Sequence, residues 1–166
     1  MARPAYETAN SLLAAARDAK LDESSFHQLP GWRAAELLEQ VLDAFTRTGR
    51  GGRMRYWMWE DLREPSLFLR GARDLELLTA LAPPSCHAWL IVEDFEDAKA
   101  GPPFWFFEAT LDAIAITLRN HHSLEFYVVS QDLSWLVGEN HHGAWFAAGA
   151  HAVATLGPMA SQNANA

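Results

Sequence analysis

The stretch HAWLIVEDF, residues 87–95, is the most informative part of the sequence for the fold class. It combines aromatic and β-branched residues in a run of strand length and ends in acidic residues, a pattern typical of a buried β-strand. A second run, FWFFEA (104–109), follows the Pro-Pro pair at 102–103. It also predicts a strand, because four consecutive aromatic residues suit a sheet better than a helix. These two runs indicate that a sheet occupies the second half of the chain.

The residues that follow predict one helix and three further strands. TLDAIAITLRNHH (110–122) has Thr110 as a possible N-cap and an apolar stripe at helical spacing: Leu111, Ile114, Ala115 and Leu118. EFYVVS (125–130) predicts a strand. SWLVGE (134–139) and AWFAAG (144–149) predict the two arms of a hairpin with NHHG at its tip.

The N-terminal half has a different pattern. Residues 5–19 and 32–47 repeat apolar positions at helical spacing, whereas RYWMWEDL (55–62) and SLFLR (66–70) predict short extended runs, and a short helix is expected over Asp74–Leu81. The fold class is therefore α+β: N-terminal helices followed by a mostly antiparallel sheet with one helix packed across it. We expect a single domain, residues 1–160, with a flexible tail at 161–166.

Charge and composition limit the classes of function. Residues 84–166 carry 2 Lys/Arg against 9 Asp/Glu, and the chain has a net charge of −8. An acidic surface repels phosphate, which argues against nucleic acid and favours a basic protein partner or a cation. There is no signal peptide pattern and no membrane span, and the single Cys86, interpreted as a buried thiol, cannot form an internal disulfide. We expect a cytoplasmic protein.

Two similar stretches, NHHSLEF (120–126) and NHHGAWF (140–146), contain four of the seven His residues. The first is expected to close a helix, since Asn and His suit helix ends. The second concentrates four polar residues at a hairpin tip: Glu139, Asn140, His141 and His142. These could form a partner-binding surface, a buried His–Glu network that fixes the turn, or an acid/base pair. With His121 or His122 assisting, Glu139, His141 and His142 could also hold a divalent transition metal.

A second acidic group lies at the end of the first strand. Glu93, Asp94, Glu96 and Asp97 are four carboxylates within five residues. A solvated acidic turn, a site for a hard cation and a surface for a basic partner are all compatible with this pattern. The aromatic runs YWMW (56–59) and FWFF (104–107) are expected to lie mostly in the core; a face not covered by helices would present rings to a protein partner.

The C-terminal half, about residues 85–150, resembles a family of small bacterial proteins of unknown activity with a W-L-x-x-E-N-H-H motif. The matching positions are Glu93, Asp94, Tyr127, Trp135, Leu136, Glu139, His141, His142 and Gly149. In general type (small, acidic, with N-terminal helices) the chain is also similar to immunity proteins of bacterial toxin systems. This resemblance implies a fold and a motif rather than a reaction.

The leading hypothesis is a non-enzymatic protein-binding module, such as a toxin-neutralising immunity protein, that needs no cofactor. Its acidic C-terminal half would supply the binding residues: Glu93, Asp94, Glu96, Asp97, Glu139, Asn140, His141 and His142. The alternative is a metal-binding protein or hydrolase-type enzyme centred on Glu139, His141 and His142, with His121 as a further ligand.

Overall fold

A computed structural model describes residues 7–51, 57–69, 75–93, 104–121 and 124–162 of the chain. Five α-helices lie in this part: α1 (Glu7–Asp18), α2 (Gly31–Phe45), α3 (Leu77–Leu81), α4 (Leu111–Arg119) and α5 (Ala150–Gln162). Seven strands accompany them: β1 (Phe26–Gln28), β2 (Ser66–Leu69), β3 (His87–Glu93), β4 (Phe104–Thr110), β5 (Glu125–Ser130), β6 (Leu136–Glu139) and β7 (Trp145–Ala148). Short 3₁₀ turns cover Gly49–Gly51 and Met58–Asp61.

The seven strands form one antiparallel sheet in the order β1-β4-β3-β5-β6-β7-β2. β3 lies near the centre between β4 and β5, and β6 and β7 form the hairpin. β1 and β2 are the edge strands of this sheet. Because β3 and β5 run antiparallel in register, the last residue of β3 lies opposite the first residue of β5.

Helices cover both faces of the sheet, which gives three layers. On one face α1, α3, α4 and α5 pack against the alternate strand residues that include Leu90, Val92 and Val128. On the other face α2 packs with Met58 and Leu62 against residues that include Ile91 and Tyr127. The central strands are therefore buried on both sides, so they read as continuous apolar runs rather than as alternating ones.

The α+β class is confirmed, and so are most of the predicted elements. α1 lies within the predicted range 5–19, α2 begins one residue before the predicted range 32–47, and the six strands predicted from residue 66 onward are all present. Thr110 caps α4 as expected, since its side chain accepts a hydrogen bond from the backbone N–H of Ala113 at 3.2 Å. More than one helix packs across the sheet, because α4 shares its face with α1, α3 and α5.

Several predictions are wrong in detail. The described end of RYWMWEDL is not extended, because Met58–Asp61 is a 3₁₀ turn. The short helix before β3 begins at Leu77. Cys86 is exposed rather than buried. The C-terminal helix α5 was not predicted; it continues to Gln162, and residues 163–166 of the predicted tail lie outside the described residues.

Within the described ranges, no helix combines the length and the apolar character needed to cross a membrane.

We predict that Gly138→Ala destabilises the protein. A methyl group at position 138 of β6 would lie 2.3 Å from the carbonyl oxygen of Phe126 and 2.7 Å from the ring of Phe146. Both neighbours are fixed by the sheet, so the strands must separate. We expect the free energy of unfolding, measured in urea, to fall by about 1–3 kcal/mol.

Gly31→Ala is the matched control, because a methyl group there meets nothing within 4 Å and lies at the start of α2. Its stability should equal or slightly exceed that of the parent, since Ala favours a helix over Gly. Equal melting of Gly138→Ala and the parent would contradict the close β5–β6–β7 packing.

Candidate functional site

Two glutamates lie side by side at one end of the sheet. Glu93 is the last residue of β3 and Glu125 the first of β5, and the two are direct partners in the strand register. Partners across an antiparallel pair point to the same face, in this case the face covered by α2. Each residue is only 7% exposed. Two carboxyl groups are therefore buried together, and no Lys or Arg among the described residues hydrogen-bonds to either of them.

Glu93 accepts hydrogen bonds from the polypeptide backbone before β2. The backbone N–H of Trp57 donates to its two carboxyl oxygens at 3.1 and 3.2 Å. The hydroxyl of Tyr127 lies 3.3 Å from Glu93 Oε2. Glu93 thus connects the end of β3 to the aromatic segment around Trp57.

Glu125 is contacted by three hydrogen-bond donors. The Tyr127 hydroxyl donates to Glu125 Oε1 at 2.8 Å. His141 Nδ1 lies 2.7 Å from Glu125 Oε2, and the backbone N–H of His141 donates to the same oxygen at 3.3 Å. Because an ionised carboxylate can only accept, His141 carries a hydrogen on Nδ1. Glu125 therefore fixes both the backbone and the ring of His141.

Glu93 is the member of the carboxyl pair whose pKa is strongly raised. Burial, followed by the adjacent carboxyl of Glu125, raises the pKa of Glu93 to about 9. A protonated Glu93 has an O–H group that can donate a hydrogen bond to the neighbouring Glu125. Burial and the nearby carboxyl groups of Glu125 and Glu93 also raise the pKa of Tyr127 well above 10, so its phenol keeps its hydrogen. We call Glu93, Glu125, Tyr127 and His141 the carboxyl network.

Trp57 has an unusual backbone conformation beside this network. Its φ of 57° and ψ of 52° are left-handed. A left-handed conformation costs an L-residue roughly 1–2 kcal/mol, so neighbouring interactions must stabilise it. The hydrogen bonds from its N–H to Glu93 are such an interaction.

The hairpin turn presents rings next to the network. Buried Asn140 fixes the turn, because its Oδ1 accepts from the backbone N–H groups of His142 and Ala144, both at 3.0 Å. The rings of His141 and His142 are 4.0 Å apart. The Trp59 ring lies 6.1 Å from each of them.

The rings continue in both directions from the turn. Trp57 lies 6.1 Å from His141, and Trp59 lies 6.4 Å from Phe68 of the edge strand β2. The His rings are exposed, the Trp rings half-buried, and Phe68 is 51% exposed. We call this row the ring surface: Trp57, Trp59, Phe68, His141 and His142.

A cavity of about 320 Å³ lies beside the same turn, towards the face covered by α4. Leu118 and Phe126 belong to its apolar wall, and Glu139, Asn140 and His141 to its polar side. His121 lines it too, with Nε2 2.8 Å from the hydroxyl of Ser11 in α1. Burial raises the pKa of Glu139.

The predicted binding residues differ in their exposure to solvent. Glu93 is buried, so it cannot present its carboxylate on an exposed surface, and Asn140 is buried as the fixed point of the turn. His141 and His142 are exposed, and Glu139 is half-exposed. The remaining predicted residues, Asp94, Glu96 and Asp97, lie outside the described residues, as does His122.

The expected His–Glu network exists with a different glutamate. Glu125 rather than Glu139 holds His141. The two NHH stretches do converge, because His121, Glu139 and His141 line one cavity. Among the described residues, however, no three His, Cys, Asp or Glu side chains are placed to bind a metal.

Sequence reasoning did not select Phe68 or Glu125, placed Trp57 and Trp59 only in an aromatic run that could face a partner, and named Tyr127 only as a position of the family resemblance. One signal was available. Two strands, HAWLIVE and EFYVVS, each carry a Glu at an end, and antiparallel pairing brings such ends together.

Together, the fold and the site define a three-layer α+β domain with a carboxyl–histidine network at one end of its sheet. The chain belongs to a family of unknown function (DUF6756), whose family model matches residues 10–158. The match includes the N-terminal helices as well as the C-terminal motif region. No curated protein and no solved structure matches the chain significantly.

We predict that Glu93→Gln makes the protein more resistant to alkaline pH. With its pKa raised from 4.5 to about 9, Glu93 stays protonated in the folded state while the unfolded chain releases the proton. The contribution of Glu93 to the free energy of unfolding of the parent is therefore complete below about pH 4.5. It decreases between about pH 4.5 and pH 9, by at most about 1.4 kcal/mol per pH unit. Gln is neutral at every pH in this range, and its side-chain amide can both accept a hydrogen bond through its oxygen and donate one through its nitrogen.

Urea unfolding at pH 5, 7 and 8.5 measures this difference. The stability of Glu93→Gln minus that of the parent should increase with pH. Glu36→Gln, at an exposed position of α2 where the carboxylate pairs with Arg33, controls for the loss of one ionisable carboxyl group from the chain. Parallel stability curves for Glu93→Gln and the parent would show that Glu93 carries no proton in the folded protein.

Tyr127→Phe should lower the free energy of unfolding by about 1.5–3 kcal/mol, the usual contribution of a hydrogen bond to a charged group. The Tyr127 ring is fully buried, so the change removes only the hydroxyl that donates to Glu125. Thermal and urea denaturation measure the loss. A change below about 0.5 kcal/mol would show that the Tyr127 hydroxyl does not support the pair.

Proposed function

We propose that this chain is a non-enzymatic protein-binding module and that the ring surface is its contact site. The observation that carries the proposal is the unbroken row of rings from Trp57 to Phe68, which ends on an edge strand. Aromatic residues are enriched at the centres of protein interfaces, and Trp is among the residues that contribute most binding energy. A half-exposed Phe beside half-buried Trp rings supplies such a centre.

The edge position of β2 adds a second means of contact. β2 pairs with β7 on one side, and the described part of the chain provides no strand on its other side. The backbone of an edge strand can pair with an extended segment of a partner, while the neighbouring side chains provide specificity. Phe68 lies in this strand, so backbone pairing and ring contact would occur together.

The carboxyl network keeps the ring surface in a fixed arrangement. Glu125 holds His141, and Glu93 holds the backbone of Trp57. Rings fixed before binding lose little conformational entropy when a partner docks, and this increases affinity. The buried position of Glu93 therefore supports a binding role in which it acts through Trp57 and not by direct contact.

The charge of the chain favours a basic partner. The net charge of −8 attracts cationic proteins over long range and raises the rate of association. At the ring surface itself, Arg or Lys of the partner can stack on the Trp rings through cation–π contacts. An immunity protein that neutralises a basic toxin is one kind of module with these properties, and Asp94, Glu96 and Asp97 would add to its acidic character.

A second candidate is acid–base chemistry at His141, which corresponds to the hydrolase-type alternative. Glu125 fixes Nδ1 of His141, so the other ring nitrogen is available to a substrate. Hydrolysis of a model ester that is abolished by His141→Ala but not by Phe68→Ser would favour this candidate over the binding module.

Phe68→Ser tests the binding proposal. The parent and its variants, each carrying a photo-crosslinker near β2, are exposed to extract of the source cell, and the adducts are identified by mass spectrometry. Affinity for the purified partner is then measured by calorimetry. Phe68→Ser should weaken binding at least tenfold, because loss of a central aromatic residue costs about 2 kcal/mol or more.

Trp32→Ala is the matched control, since Trp32 is 72% exposed on α2 and makes none of the ring contacts described above. It should bind like the parent. Equal binding by the parent and Phe68→Ser, or equal losses in Phe68→Ser and Trp32→Ala, would refute the ring surface as the contact site.

A further inference from the structure

We propose that the cavity beside the hairpin turn binds a small organic amine, with the ammonium group at Glu139 and an apolar tail against Leu118 and Phe126. This site faces the α4 side of the sheet, whereas Trp59 of the ring surface packs on the α2 side, and His141 contributes to both. The groups that would hold the amine, Glu139, Leu118 and Phe126, are not part of the ring surface, so amine binding does not depend on the proposed function.

The cavity has the size and lining of a small-molecule site. Its volume of about 320 Å³ lies at the lower end of the range for ligand pockets. Apolar side chains supply one part of the wall: Leu75, Leu118, Leu124 and Phe126. Ligand sites typically combine such an apolar wall with a few polar groups that orient the ligand.

Most polar groups around the cavity already have partners within the protein. Asn140 Oδ1 accepts two backbone hydrogen bonds in the turn. His121 Nε2 is held by Ser11, and His141 Nδ1 is held by Glu125. These groups line the cavity, but the atoms named here already make hydrogen bonds to other parts of the protein.

Glu139 differs from them. It is half-buried at the end of β6, and a Cβ at Gly143 across the turn would lie 3.7 Å from its Oε1. Burial is the cause of its raised pKa, and no ion pair or hydrogen bond to its carboxylate joins it to another described residue. A cationic ligand that enters the cavity would stabilise the charged form of such a partly buried carboxylate.

These features select the chemical class of the ligand. A carboxylate at one side and apolar side chains at the other match a primary ammonium group attached to an alkyl or aryl tail. A carboxylic acid would be repelled by Glu139. A neutral alcohol of the same shape would gain the apolar contacts and lose the ion pair.

Three probes of one shape test the proposal: benzylamine, benzyl alcohol and benzoate. Their binding to the intact protein at pH 7 is followed by NMR, through the methyl signals of Leu118 and Leu124 and the ring signals of Phe126. Benzylamine should shift these signals, benzyl alcohol should bind several-fold more weakly, and benzoate should not bind. In Glu139→Gln the affinity for benzylamine should fall roughly tenfold, which corresponds to about 1.4 kcal/mol.

Glu36→Gln controls for net charge and should bind benzylamine like the parent, and a backbone amide spectrum verifies that Glu139→Gln is folded. Equal affinity for benzylamine and benzyl alcohol, or unchanged benzylamine binding in Glu139→Gln, would overturn the role of Glu139. Absence of shifts at these residues with all three probes at millimolar concentration would overturn the site itself.

Discussion

Two carboxyl groups buried side by side impose the constraint on which this end of the molecule depends. Glu93 and Glu125 are neighbours because β3 and β5 pair in register, and both are too buried for two unpaired negative charges. Burial of the pair favours a proton on one of the two groups, and the remaining carboxyl oxygens need hydrogen-bond donors. Tyr127 and His141 meet that requirement at Glu125, while the backbone of Trp57 bonds to Glu93. The network thereby joins β3, β5, the hairpin turn and the segment before β2.

The hairpin turn has two different environments as a result. Towards α2, the rings of His141 and His142 lie beside Trp59 in the ring surface. Towards α4, the half-exposed Glu139 faces a cavity with an apolar wall. Glu139 ends β6 on the α4 side because side chains alternate along the strand, whereas His141 and His142 lie in the turn beyond β6. The turn therefore has one side that carries rings and one side that lines the cavity.

The sequence predicted the local elements well because their patterns are strong. β3 to β7 are apolar runs, and Thr110 marks the start of α4. It could not predict the strand order, which places β2 at an edge and opposes Glu93 to Glu125, since pairing across many residues leaves no local signal. Helix α5 was missed because Gly157 and Pro158, which normally interrupt helices, lie within it. Nearness in sequence favours Glu139 as the partner of His141, but in the structure Glu125 makes the hydrogen bond to His141.

The raised pKa of Glu93 means that its carboxyl group is protonated in the folded protein at neutral pH. Carboxyl ¹³C NMR of protein labelled at Glu Cδ, with Glu93 assigned through the Gln variant, measures this directly. We expect the Glu93 signal to stay at the position of a protonated acid at pH 7 and to move only as the pH approaches about 9. A Glu93 signal that titrates near pH 4.5, like an ordinary glutamate, would contradict the shared proton and the network built on it.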